Sequence, residues 1–148
     1  MTSLPDFIER EVRIGARAET IFPFLTDPEK MTHWMGISAE ADPTPGGIYR
    51  VNVTGNDIAS GSFVEISPFT KVVFTWGWES EDTLVTPGTS TVEITLTEGG
   101  GATVLRLRHS GLPELDRESH GMGWDHYLQR LTAAATGNDP GSDPWVAG

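Results

Sequence analysis

Gly61-Ser62-Phe63-Val64-Glu65-Ile66-Ser67-Pro68 is followed, after Phe69 and Thr70, by Lys71-Val72-Val73-Phe74-Thr75-Trp76-Gly77-Trp78. The two runs read as consecutive strands joined by a proline turn. Side chains alternate across a strand, so Phe74, Trp76 and Trp78 project from one face. That much aromatic surface requires something large and apolar opposite it. The partner is either another part of the chain or a ligand, and the functional question turns on which.

Outward from this pair the pattern is mostly strand. Ile8 to Ile14 alternates, with Ile8, Val12 and Ile14 on one face and Arg10 as the exception; Glu9, Glu11 and Arg13 share the other. Ala18 to Leu25 carries Ile21, Phe22 and Leu25 at helical spacing, with Pro23 near enough to the start to be tolerated. Asp27-Pro28 opens a second short helix, expected to run to Trp34 or Met35, with Asp27 as its cap. Ile37–Ala41 is expected as a short strand. Ile48–Thr54 alternates, with Tyr49, Val51 and Val53 on one face, and Ala59–Ile66 follows. A loop from Glu79 to Gly88 leads to strands at Thr89–Leu96 and Thr103–His109, turned by Gly99-Gly100-Gly101. No Lys-Ser/Thr follows those glycines and no helix begins there, so they read as a hairpin turn, not a phosphate loop. From Arg117 to Ala135, His120, Trp124, Leu128 and Leu131 form the stripe of a packed helix, ended by Gly137-Asn138. The tail from 136 to 148 is turn-rich and expected on the surface.

The fold class expected is therefore α+β. A curved antiparallel sheet of six to seven strands wraps a long C-terminal helix, with two short helices after the first strand. At 148 residues the chain reads as one domain, with a core of about 8–135. A chain of this size buries roughly 70% of its unfolded surface. One helix covers so long a sheet only if the sheet curls, and that geometry tends to leave a cavity between them.

Composition narrows the function. Ten basic against 21 acidic residues give a formal charge of -11, which disfavours nucleic acid and anionic membranes as partners. With no cysteine there is neither disulfide nor thiolate chemistry. The segment Met1-Thr2-Ser3-Leu4-Pro5-Asp6 lacks the features of a secretory signal, and no apolar run approaches the ~20 residues of a membrane span. A cytoplasmic location is expected.

The order and spacing of several motifs carry a resemblance. They are Glu11-Val12-Arg13-Ile14, Ala18-Glu19-Thr20-Ile21-Phe22, Trp34, Gly46-Gly47-Ile48-Tyr49, Gly61–Pro68 and Val73-Phe74-Thr75-Trp76. After them come Thr91-Val92-Glu93-Ile94, Leu105–Gly111 and His120-Gly121-Met122-Gly123-Trp124. Together, over about residues 8–135, the chain resembles the START-like, or SRPBCC, helix-grip superfamily. Within that it resembles the homologues of the activator of heat-shock-protein-90 ATPase. The resemblance implies a deep hydrophobic cavity but no single chemistry, since such proteins include carriers, receptors, polyketide cyclases and a co-chaperone domain.

Each candidate residue has a structural and a functional reading. Trp34, Tyr49, Phe63, Phe74, Trp76, Trp78, Trp124 and Leu128 are core, or the lining of a site for an apolar, planar ligand. His109 and His120 cap element ends, or stand at the cavity mouth as acid, base or hydrogen-bond donor. Glu65 shares a face with Phe63, so it points at the cavity if Phe63 does; otherwise it makes an outward ion pair. Gly121 and Gly123 lie inside a helix, where each costs ~1 kcal/mol relative to Ala. They permit tight packing, or make room for a ligand beside Met122 and Trp124. Alternation turns Arg50, Arg106 and Arg108 to solvent. Glu79-Ser80-Glu81-Asp82 reads as a solvated loop. His33, His109, His120 and His126 show no metal-ligand spacing; His120 and His126, six positions apart, are turned about 600° from each other. No metal or cofactor is expected. Asp125-His126 does not read as part of a triad, because nothing places a serine beside it.

The leading expectation is a protein that binds a small apolar or aromatic molecule, as a monomer or homodimer. The alternatives are a cyclase, dehydratase or hydrolase using His109, His120 or Glu65, and a co-chaperone-like interaction module with a role in stress response.

Overall fold

The computed structural model describes residues 7–146, so the reading of Met1 to Asp6 and the end of the tail at Ala147 and Gly148 lie outside the described residues. Seven strands form one antiparallel sheet in the order β1-β7-β6-β5-β4-β3-β2. They are β1 (Phe7–Ile14), β2 (Ser38–Ala41), β3 (Ile48–Asn52), β4 (Ile58–Ser67), β5 (Lys71–Trp76), β6 (Ser90–Gly99) and β7 (Ala102–Ser110). Helices α1 (Ala18–Thr26) and α2 (Pro28–Met31) follow β1, and α3 (Glu114–Ala135) ends the fold. This is the α+β helix-grip architecture expected.

Alternation decides which face of each strand is buried. On β5, Val72, Phe74 and Trp76 are buried and Lys71, Val73 and Thr75 are not. Leu105, Leu107 and His109 of β7 and Val92, Ile94 and Leu96 of β6 continue the same layer. The outer face is tied by ion pairs. Arg106 meets Glu11, Arg108 meets Glu9 and Arg50 meets Glu79, as their outward positions predict. Helix α3 sets Trp124, Leu128 and Leu131 against the sheet, together with Tyr127. Arg10, the odd residue on the apolar face of β1, also turns toward this helix. Its Nε donates to Asp125 at 2.6 Å, and its guanidinium occupies the space a Cβ on Gly121 would need. Gly121 thus serves close packing.

Three details depart from expectation, and a fourth, in the tail, adds to it. Helix α2 stops at Met31, and turns carry the chain on through Trp34. Helix α3 begins at Glu114, three residues early: Leu115 is 88% exposed and interrupts the apolar stripe, while Pro113, Glu114 and Asp116 supply ordinary helix-start chemistry. A bulge in β4 changes the pairing from Phe63↔Phe74 to Glu65↔Val73. The extra residue lets Phe63 and Ile66 both face the core and turns Glu65 outward, where it lies 3.6 Å from Lys71. The tail is anchored. Asp143 accepts from the Tyr127 hydroxyl (2.7 Å) and from the Trp145 N–H (2.9 Å), and its carboxylate lies 2.8 Å from His126 Nε2. Arg130 also donates to the Pro140 and Gly141 carbonyls. No helix among the described residues is long and apolar enough to cross a membrane.

Candidate functional site

A cleft of about 710 Å3, open to the outside, lies where the end of β5 meets the first half of α3. Gly77 makes the local turn possible. A side chain there would collide with the Thr86 carbonyl, so its absence lets the following loop fold back, and Trp78 N–H donates to the Val85 carbonyl at 2.7 Å. Trp78 therefore keeps the inward alternation of β5 beyond the end of the strand, bridged to Ala59. Trp76 and Trp78 meet edge to face (5.3 Å between ring centres), and Trp124 of α3 lies 5.2 Å from Trp76. These three rings, with His120 and Tyr127, form the aromatic walls; Leu84, Leu115 and Trp145 stand at the rim. Gly123 also lines the cleft, and a Cβ there would touch nothing within 4 Å.

Two histidines brace this wall. The Trp124 indole donates to His109 Nδ1 (3.0 Å), so in the neutral ring the proton sits on Nε2, which donates to Ser90 Oγ (2.8 Å); Ser90 in turn donates to the Trp76 carbonyl. Trp78 donates to His120 Nε2 (2.9 Å), leaving Nδ1–H to donate to the Asp116 carbonyl (2.7 Å). Burial, with the neighbouring His120, pushes the His109 pKa down to about 3, so the ring is neutral at physiological pH. Both nitrogens of both rings are thus engaged within the protein, and neither histidine has a free lone pair or N–H to offer a substrate.

The structure divides the residues expected to line a cavity. Trp76, Trp78, His120 and Trp124 line the cleft. Trp34, Tyr49, Phe63, Phe74 and Leu128 do not; they are buried in the core. Tyr49 stacks on Phe74 at 4.0 Å, and Phe63 packs edge-on against both. Trp34 donates its indole N–H to the Phe24 carbonyl. His109 lies behind the wall, fully buried, and Glu65 is on the outer face. Sequence reading missed Asp57, Asp82, Asp116, Tyr127 and Trp145 as lining residues. Of these, Asp116 and Tyr127 were findable from their helical spacing to His120 and Trp124. The described residues hold no group of three or more His, Asp or Glu side chains placed to bind a metal ion.

Residues 15–136 match the family model described as "Activator of Hsp90 ATPase homolog 1-like protein". No curated protein matches the chain. Among solved structures, an AHSA1-like protein of Rhizobium etli is 47% identical with a TM-score of 0.74, covering 96% of this chain and 89% of that one. DynU16, from the dynemicin biosynthetic locus, is 26% identical with a TM-score of 0.79 over 93% of this chain; the chain spans 50% of its length. The Aha1 dimer of Colwellia psychrerythraea, at 19% identity and a TM-score of 0.74, shares the fold over 87% of this chain and 95% of its own.

Proposed function

This chain belongs to the Activator of Hsp90 ATPase homolog 1-like family, and we propose that it binds a small, planar, largely apolar molecule in the cleft between Trp76, Trp78 and Trp124. One observation carries this reading: two of the indoles that wall the cleft, Trp124 and Trp78, are held in place by His109 and His120, whose ring nitrogens are used up within the protein. Such bracing presents rigid aromatic faces to a ligand and withholds both histidines from acid–base chemistry. The cleft volume falls within the range of about 300–1,000 Å3 that is usual for small-molecule sites. Binding without chemistry is therefore favoured over a cyclase, dehydratase or hydrolase.

Gly123→Leu tests this directly, because Gly123 lines the cleft and a Cβ there meets nothing within 4 Å. Native mass spectrometry of protein purified from its own host is expected to show a small-molecule adduct that Gly123→Leu loses while keeping its circular dichroism spectrum. An adduct retained in the variant, or none in either protein together with no fluorescence response to a broad panel of aromatic compounds, contradicts the reading. Turnover of a bound compound that survives His120→Gln would restore the enzyme reading with other residues in charge.

A further inference from the structure

Two polar atoms at the cleft are buried without a partner: the Trp76 indole N–H and Asp116 Oδ2. Both residues line the cleft. Trp76 is only 3% exposed, and its edge-to-face contact with Trp78 offers no more than a weak aromatic acceptor. The other buried indoles are all satisfied: Trp34 by the Phe24 carbonyl, Trp124 by His109, and half-buried Trp78 by His120. An unpaired buried donor or acceptor carries a desolvation penalty of about 1–3 kcal/mol, and native proteins leave few of them. Here one donor and one acceptor are left unpaired on two residues that line the same cleft, at either end of the Trp76–Trp78–His120–Asp116 chain of contacts. Charge adds a third constraint. Asp57, Asp82 and Asp116 line the cleft, and no lysine or arginine among the described residues does.

We propose that the ligand is a planar, non-anionic molecule carrying two polar groups, a carbonyl-type acceptor for the Trp76 indole N–H and a hydroxyl or amine donor for Asp116. This rests on the binding function proposed above and defines its ligand class. The Asp57 carboxylate already accepts from the Thr54 hydroxyl at 2.8 Å, which leaves Asp116 as the lining carboxylate with a buried oxygen to fill. A ligand carboxylate or phosphate would meet three like charges and no counter-charge.

A matched set of naphthalenes tests the idea: acetylnaphthol with both groups, acetylnaphthalene with the acceptor alone, naphthol with the donor alone, and hydroxynaphthoate with a carboxylate. Calorimetric titration of the intact protein is expected to rank acetylnaphthol first. Removing either group should weaken binding about tenfold, and hydroxynaphthoate should bind most weakly. In nitrogen-15 spectra, the Trp76 indole proton should move downfield with the two acetyl compounds and not with naphthol. In Asp116→Ala, acetylnaphthol and acetylnaphthalene should bind alike. Equal affinities across the uncharged set, or tightest binding by hydroxynaphthoate, would overturn this inference while leaving the binding function standing. No binding by any of the four would overturn both.

Discussion

The aromatic layer of the sheet has two ends, built from the same alternation, that behave differently. At one, Tyr49, Phe63 and Phe74 are each at most 2% exposed and fill their space with one another. At the other, Trp76 and Trp124, each 3% exposed, and half-buried Trp78 line an open cleft, and hydrogen bonds to histidine hold Trp78 and Trp124. Phe74 and Trp76 are two residues apart on one strand. What separates core from site is what lies opposite each ring, and how each ring is fixed. Rings that pack against rings need no polar anchor. Rings at the edge of a cleft have fewer ring neighbours to fix them, and here the indole N–H groups of Trp78 and Trp124 are tethered to histidine.

The sharpest way to break this comparison is to truncate one ring from each end. Phe74→Ala should lower unfolding stability by ~3–5 kcal/mol through the cavity it leaves, seen as a lower urea midpoint at unchanged slope. Trp78→Ala, at a half-buried ring, should cost ~1–2 kcal/mol and weaken ligand binding more than it weakens the fold. Equal losses of stability would mean that the two ends are one core.

The tether predicts a pH dependence. The His109 pKa lies near 3 in the folded protein against an ordinary 6.5, so the unfolded chain takes up a proton that the folded one refuses. Stability from this group is complete above pH 6.5 and falls by ~1.4 kcal/mol per pH unit below it, down to about 3. Urea titrations at pH 7, 6 and 5 should show that slope, and His109→Gln should flatten it whatever its baseline stability. An unchanged slope in the variant would place the titrating group elsewhere.

The tail offers a smaller effect. Burial alone would raise the Asp143 carboxyl, but the Trp145 N–H, the Tyr127 hydroxyl and His126 together hold it below its usual value. The same environment, burial first and the nearby carboxylate second, pushes the Tyr127 phenol up. Asp143→Ala should destabilise the fold by ~1–2 kcal/mol and leave Trp145 more exposed, read as a red shift in emission. No shift would mean that the ring stack of Trp145 on His126 (3.9 Å) holds the tail unaided. Smallest is Gly123→Ala, which should stabilise α3 by up to ~1 kcal/mol while narrowing the cleft. Higher stability with weaker binding is the combination expected if this glycine is kept for space.

Much of the fold was readable from the chain because sheet faces follow a period of two and α3 a period near 3.6. Alternation placed Phe74, Trp76 and Trp78 together, and the helical stripe set Trp124 and Leu128 against them. Alternation failed at Glu65, where a bulge inserts a residue without marking the sequence. It could not separate Phe74 from Trp76, because both are inward and aromatic, and the difference lies in elements distant along the chain. The histidines show the same limit: His109 and His120 stood out as candidates, but their indole partners join residues 15 and 42 positions apart. The tail reads as surface from its polar and turn residues, and nothing in that pattern shows that Asp143 accepts from Tyr127 and Trp145 while Arg130 of α3 donates to the Pro140 and Gly141 carbonyls.

The central claim is that the tryptophan end of the sheet is a binding wall and the phenylalanine end is not. A nitrogen-15 titration of the five indole N–H groups with acetylnaphthol tests it most directly. The account predicts that Trp76, Trp78 and Trp124 move together, saturably, while Trp34 stays in place. Movement of Trp34 to the same degree, or of none of the four, would contradict it.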